Sequence, residues 1–169
     1  VIEALFSRFE KDRDAGVKSE LPTTALLGEM QNITIHAGSI SRFLWPSPTK
    51  DKEMSESHKI RGETLRKVLD VNDNSPLKNR GLRNAIEHFD ERLDKYLSSE
   101  ITGNIFPEYV GPRPEDDGVP RHIFRAYFID DYTFVLLNEE FDLFPLIDEV
   151  YRVAKILEGF KSKGGVFRL

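Results

Sequence analysis

The stretch from Leu77 to Leu97 constrains the fold of this chain more than any other. When each residue is turned by about 100°, Leu82, Ala85, Ile86, Phe89, Leu93, Tyr96 and Leu97 fall within one arc of about 120°. A stripe of that width is buried only against other elements with apolar faces of their own, so the pattern predicts a core built by packed helices. Ser75 and Pro76 stand ahead of it as an N-cap and a first-turn proline.

The same period organises most of the chain. Ile2, Leu5, Phe6 and Phe9 predict a short helix over residues 1–13, broken by Asp14-Ala15-Gly16. A long helix is predicted from Leu21 to about Trp45, with Leu26, Leu27, Met30, Ile33, Ala37, Ile40, Phe43 and Leu44 apolar. Pro46-Ser47-Pro48 ends it, because proline cannot continue the hydrogen-bond ladder. Residues 49–56 read as a polar loop, and Ser57 to Val71 as a further helix with Ile60, Leu65, Val68 and Leu69 inward.

After Leu97 the pattern changes. His122 to Ile129 and Tyr132 to Leu137 read as two strands around a tight turn at Asp130-Asp131. Ile105-Phe106 and Tyr109-Val110 lie between glycines and prolines, and residues 112–118 read as an acidic loop. Asp142-Leu143-Phe144-Pro145 opens a last helix that Lys161-Ser162-Lys163-Gly164-Gly165 closes. The predicted fold class is mainly α: an antiparallel bundle of four to five helices, with a β-hairpin inserted before the last helix at about residues 120–138, in a single domain over residues 1–169.

With 169 residues the chain suits one good core. It has no cysteine, which removes disulfide and thiol chemistry and fits a reducing cytoplasm. No apolar run approaches the roughly 18 residues of a membrane span, and the N-terminus lacks the pattern of a signal peptide. The expected location is cytoplasmic, with no membrane partner. A start at Val1 suggests that the natural beginning of the chain is missing. The net charge is −5, yet residues 101–150 carry eleven acids against Arg113, Arg121 and Arg125, so the remainder is slightly basic. That leaves room for local positive potential around Arg80, Arg83 and Arg92, but not for tight non-specific RNA binding.

Beside the apolar arc lie Arg83, Asn84, Glu87 and His88. Arginine grips phosphate in a bidentate fork, and histidine moves protons near neutral pH. Together they suit chemistry on a phosphodiester. The plainer alternative is equally visible: Arg83 and Glu87, and His88 and Arg92, are four apart, which is ordinary side-chain pairing on a helix. Elsewhere, His36 reads as a core-edge histidine, Ser39 and Ser41 as packing residues, and Trp45 as a packed helix end. Glu87, Asp90, Glu91 and Asp94 read as a solvated stripe rather than a metal-binding face. No histidine spacing suits zinc, and no glycine-rich phosphate loop is present.

Arg83-Asn84-Ala85-Ile86-Glu87-His88 resembles the signature of the HEPN superfamily: an arginine, then four to six residues, then a histidine, with a polar residue favoured after the arginine. The wider run from Ser75 to Asp94, with the block Ser41-Arg42-Phe43-Leu44-Trp45-Pro46, is similar to a group of uncharacterised bacterial proteins of this kind. The resemblance covers residues 20 to 98 best. It implies a small helical bundle and, in many members, a metal-independent ribonuclease of toxin or anti-phage type. Other members serve as non-catalytic dimerisation or interaction modules. One toxin branch has a tyrosine two places after the histidine. Asp90 occupies that place here, so control through that tyrosine is not implied.

The expected function is therefore RNA cleavage through the ribose 2′-hydroxyl. His88 would be the general acid or base, Arg83 the stabiliser of phosphorane charge, Asn84 the residue that orients His88 or holds the partner motif, and Arg80 a substrate-binding residue. No metal and no cofactor enter this scheme. Expected partners are a second copy of the chain, RNA and a cognate antitoxin. Arg83 and His88 are about 140° apart around an ideal helix, so two copies meeting at a two-fold axis bring the pairs to one cleft more easily than one helix does. The alternatives are a non-catalytic interaction module, and a bundle merely knitted by Arg83 and His88.

Overall fold

A computed structural model describes Ser7, Lys11, Asp14, Ala15, residues 22–137 and residues 139–164. Apart from those first few positions, the helix expected over residues 1–13 lies outside the described residues. The elements in chain order are α1 (Thr23–Leu44), α2 (Lys52–Val68), a 3-10 turn (Pro76–Lys78), α3 (Gly81–Glu87), α4 (Phe89–Leu97), β1 (Asn104–Gly111), β2 (Arg121–Phe128), β3 (Thr133–Leu136), β4 (Glu139–Asp142) and α5 (Phe144–Ser162). No helix among the described residues is long and apolar enough to cross a membrane.

The expected fold class is corrected by the sheet. The hairpin is present, but as the central pair of a four-stranded mixed sheet in the order β1-β2-β3-β4, so the fold is not a helical bundle with a hairpin. The pair β2–β3 is antiparallel, with Ala126 opposite Val135, and β4 continues antiparallel. The first strand, β1, runs parallel to β2 with Tyr109 opposite Ala126. Two strands were hidden by their own edge chemistry. Pro107 sits in β1, an edge strand, where a missing N–H leaves no ladder bond unmade. Glu139 and Glu140 fall in the opposite edge, where charges discourage further strand pairing.

The chain divides into two compact units. One holds the described residues of Val1–Ile33 and Leu82–Leu143, the other those of Thr34–Gly81 and Phe144–Leu169. In the first, Ala126, Phe128 and Val135 form a buried cluster with Tyr109 and Ile123 against it. Residues 112–120 connect parallel strands, which usually takes roughly a dozen residues or more. Arg113 holds this short crossover. Its backbone N–H donates to the Asp130 carboxylate at 3.2 Å, its guanidinium donates to Asp131 at 2.8 Å and to Glu140 at 2.7 Å, and it stacks 4.4 Å above the Phe128 ring. Glu140 and then Asp131 push the Arg113 pKa up, against partial desolvation.

In the second unit Ala37, Leu44, Leu69, Val71, Leu77 and Val153 form the buried cluster, and Trp45, Leu65, Val150 and Ile156 pack on it. Trp45 is thus a packed helix end, as its sequence setting indicates, and its indole N–H donates to Asp73 at 3.2 Å. The helix α2 starts earlier than the loop expected over residues 49–56 allows, because Asp51 caps it by accepting from the Met54 N–H at 3.1 Å.

Candidate functional site

The helix expected without interruption from Leu77 to Leu97 is three pieces. Ser75 accepts weakly from the Leu77 N–H and opens only the 3-10 turn. Asn79 Oδ1 then accepts from the Gly81 N–H at 2.8 Å and starts α3. A second interruption falls at His88, whose φ of −113° and ψ of 31° leave the helical region between α3 and α4. The hydrogen bonds from the His88 N–H to Asn84 and from the Arg92 N–H to His88, both 3.1 Å, carry the ladder past the break. The apolar period therefore continues, and neither proline nor glycine marks the place.

Leu82 and Ala85 are buried as the stripe requires, whereas no residue of α4 is fully buried and Leu97 is exposed. Arg83 grips Glu87 in a fork, with Nε to Oε1 at 3.0 Å and Nη2 to Oε1 and Oε2 at 2.8 Å each; its side chain is 11% exposed. The pairing visible in the i, i+4 spacing is thus realised. Asn84 is exposed. His88 is 57% exposed, and its Nδ1 lies 3.4 Å from Glu91 Oε1, a loose contact; Nε2 makes no hydrogen bond among the described residues. Among the described residues no hydrogen bond or ion pair joins Arg83 to His88 within one chain.

Arg80 belongs to the other unit and has a structural task. Its Nη2 donates to the Trp45 carbonyl at 2.6 Å and its Nε to Ser41 Oγ at 3.3 Å. Arg66 donates to the Leu44 carbonyl and stacks 5.5 Å from the Trp45 ring. Two guanidinium groups thus satisfy carbonyls at the C-terminal end of α1, where the helix leaves acceptors unpaired. Ser41 is buried and serves this clamp, and Ser39 bonds back to the Ile35 carbonyl at 3.1 Å. His36 is exposed, not at a core edge.

After His88, the residues Arg92, Lys95 and Tyr96 share one face of α4, and Ser99 follows its C-terminal end. These residues line a groove of about 590 Å³ with Leu137 and Glu139. Arg92 is paired with Glu139. Tyr96 is fixed by its hydroxyl, which shares a hydrogen bond with His122 Nδ1 at 2.6 Å; His122 Nε2 lies 3.0 Å from the Thr102 carbonyl. A carbonyl only accepts, so Nε2 carries a proton. His122 is therefore an orienting group between Tyr96 and the Thr102 carbonyl. The signal was available in part in the sequence: Lys95 and Tyr96 stand three and four places after Arg92 on one helical face.

Among the described residues no group of three or more His, Cys, Asp or Glu gathers as a metal-binding set. No protein-family model, curated protein or solved structure matches the chain.

Proposed function

We propose that this chain is a metal-independent RNA endonuclease of HEPN type, with a site completed by a second copy. The reading rests on the motif, not on the bundle that the resemblance implied. The observation that carries it is His88: an exposed imidazole at a helix break, with a carboxylate beside Nδ1 and no hydrogen bond at Nε2 among the described residues. In the reaction the 2′-oxygen attacks phosphorus as its proton passes to a base, and the bond to the 5′-oxygen breaks as that oxygen takes a proton from an acid. The products are a 2′,3′-cyclic phosphate and a 5′-hydroxyl. His88 serves as base or acid. Arg83 neutralises the phosphorane oxygens after leaving Glu87, and Asn84 holds the facing motif. Toxin or defence activity, a cognate antitoxin and a cytoplasmic location belong to the same proposal.

A second reading is favoured by one observation, the Arg83–Glu87 fork. An arginine already closed by a carboxylate suits an interaction module whose motif serves an interface. Substitution separates the two. On the nuclease reading His88→Ala and Arg83→Ala each lower cleavage by about 100-fold or more with the fold intact. On the module reading the parent protein cuts no RNA, and the same variants weaken its association.

A further inference from the structure

The groove beside α4 is not explained by the reaction itself. It offers two cations, Arg92 and Lys95, the ring of Tyr96, the hydroxyl of Ser99 and one acid, Glu139. Arg92 is held by Glu139, whereas Lys95 is exposed and makes no ion pair among the described residues. The Tyr96 ring is locked from behind: its hydroxyl is spent on His122, and it meets the rings of His122 and Phe124 edge-on at 5.8 and 6.1 Å. A rigid aromatic beside a free ammonium group is the pairing that holds single-stranded nucleic acid, the ring for a base and the cation for a phosphate. The volume is in the range of sites that enclose a small organic group. Position adds a direction. A rise of about 1.5 Å per residue puts Lys95 roughly 10 Å along the axis from His88.

We propose that this groove is a single-stranded RNA subsite that seats the nucleotide next to the scissile linkage, with its base on Tyr96 and its phosphate on Lys95 and Arg92. The inference rests on the nuclease reading for its purpose, but its binding can be measured without cleavage. It also accommodates the acidic net charge of −5, because it asks for few phosphate contacts. With two cations engaged, Arg92 after exchanging Glu139 for the phosphate, the slope of log K against log salt for a single strand is about −1.4, far shallower than for a basic nucleic-acid binder.

The test is fluorescence anisotropy of the full chain with a labelled 2′-O-methyl RNA strand, which cannot supply the nucleophile. The expected result is binding with that shallow slope. Lys95→Gln reduces affinity and makes the slope shallower by about 0.7. Tyr96→Leu weakens binding roughly tenfold, while Tyr96→Phe, which keeps the ring, leaves it near the parent value. Circular dichroism of each variant guards against unfolding, and the Phe variant separates loss of the ring from loss of the His122 bond. If Lys95→Gln and Tyr96→Leu leave both binding and cleavage of ordinary RNA unchanged, the subsite is overturned and the nuclease stands. If the parent cuts nothing yet binds with this dependence on both residues, the nuclease reading fails and the subsite stands. If the substitutions shift oligomeric state and leave RNA binding unchanged, the groove is a protein interface and the proposal is wrong.

Discussion

Glu87 decides what Arg83 can do. Both Arg83 terminal contacts end on its carboxylate, so a phosphate must displace that carboxylate to be bound. A pair of this kind contributes up to about 1 kcal/mol, which a charged phosphodiester held in a site can offset. Glu87→Ala is therefore expected to raise RNA cleavage by at most about fivefold, read as initial rates on one oligonucleotide. A loss of cleavage would mean that Glu87 orients Arg83 in the reaction instead of restraining it. Glu149 gives a second residue-scale expectation. Arg152 first, at 2.7 Å, and then Ser75, also at 2.7 Å, hold its carboxyl below the ordinary value against desolvation. A depressed carboxyl contributes stability that is fully present above its unfolded value of about 4.3 and is lost as pH falls through the folded value. Glu149→Gln should therefore lower the melting temperature at pH 7 and narrow its gap from the parent below about pH 4. A gap that stays constant with pH would assign the effect to packing.

At the scale of elements, the short crossover over residues 112–120 depends on one side chain. Arg113→Ala removes the bonds to Asp131 and Glu140 and the contact with Phe128. The expected cost is roughly 1–2 kcal/mol, taken from charge-assisted bonds and discounted for partial exposure. Proteolysis should then cut within residues 112–120 first. Arg113→Lys should fail to restore the parent, because an ammonium group cannot present the planar fork that spans two carboxylates; full rescue by lysine would contradict this account. The elements that period reveals were legible in the sequence. The prolines after Trp45 mark the end of α1, and the apolar and aromatic run from Ile123 to Phe128, broken only by Arg125, marks β2. The edge strands were not, since Pro107 and the Glu139-Glu140 pair look like punctuation unless their place in the sheet is known. The break at His88 was not legible either, because the apolar arc and the hydrogen bonds both run across it. The pairing of Arg83 with Glu87 was visible as spacing alone. Arg92, Lys95 and Tyr96 of the groove were spelled out on one helical face and needed Ser99, Leu137 and Glu139 to become a groove.

At the scale of the whole molecule, a single chain holds Arg83 on Glu87 and leaves His88 exposed, and the proposed nuclease brings these groups together by pairing two copies. Sedimentation at micromolar concentration should show a dimer that His88→Ala leaves intact, and mixing parent chains with an excess of Arg83→Ala/His88→Ala chains should depress activity beyond simple dilution. The measurement that reaches the central claim most directly is cleavage of a defined single-stranded RNA in the presence of a chelator, beside the same strand carrying one 2′-deoxy linkage at the cut position. The account predicts cutting of the first strand with a 2′,3′-cyclic phosphate end, no cutting of the second at that linkage, and loss of the first in His88→Ala. Cleavage at the 2′-deoxy linkage, or full activity of His88→Ala, would contradict it.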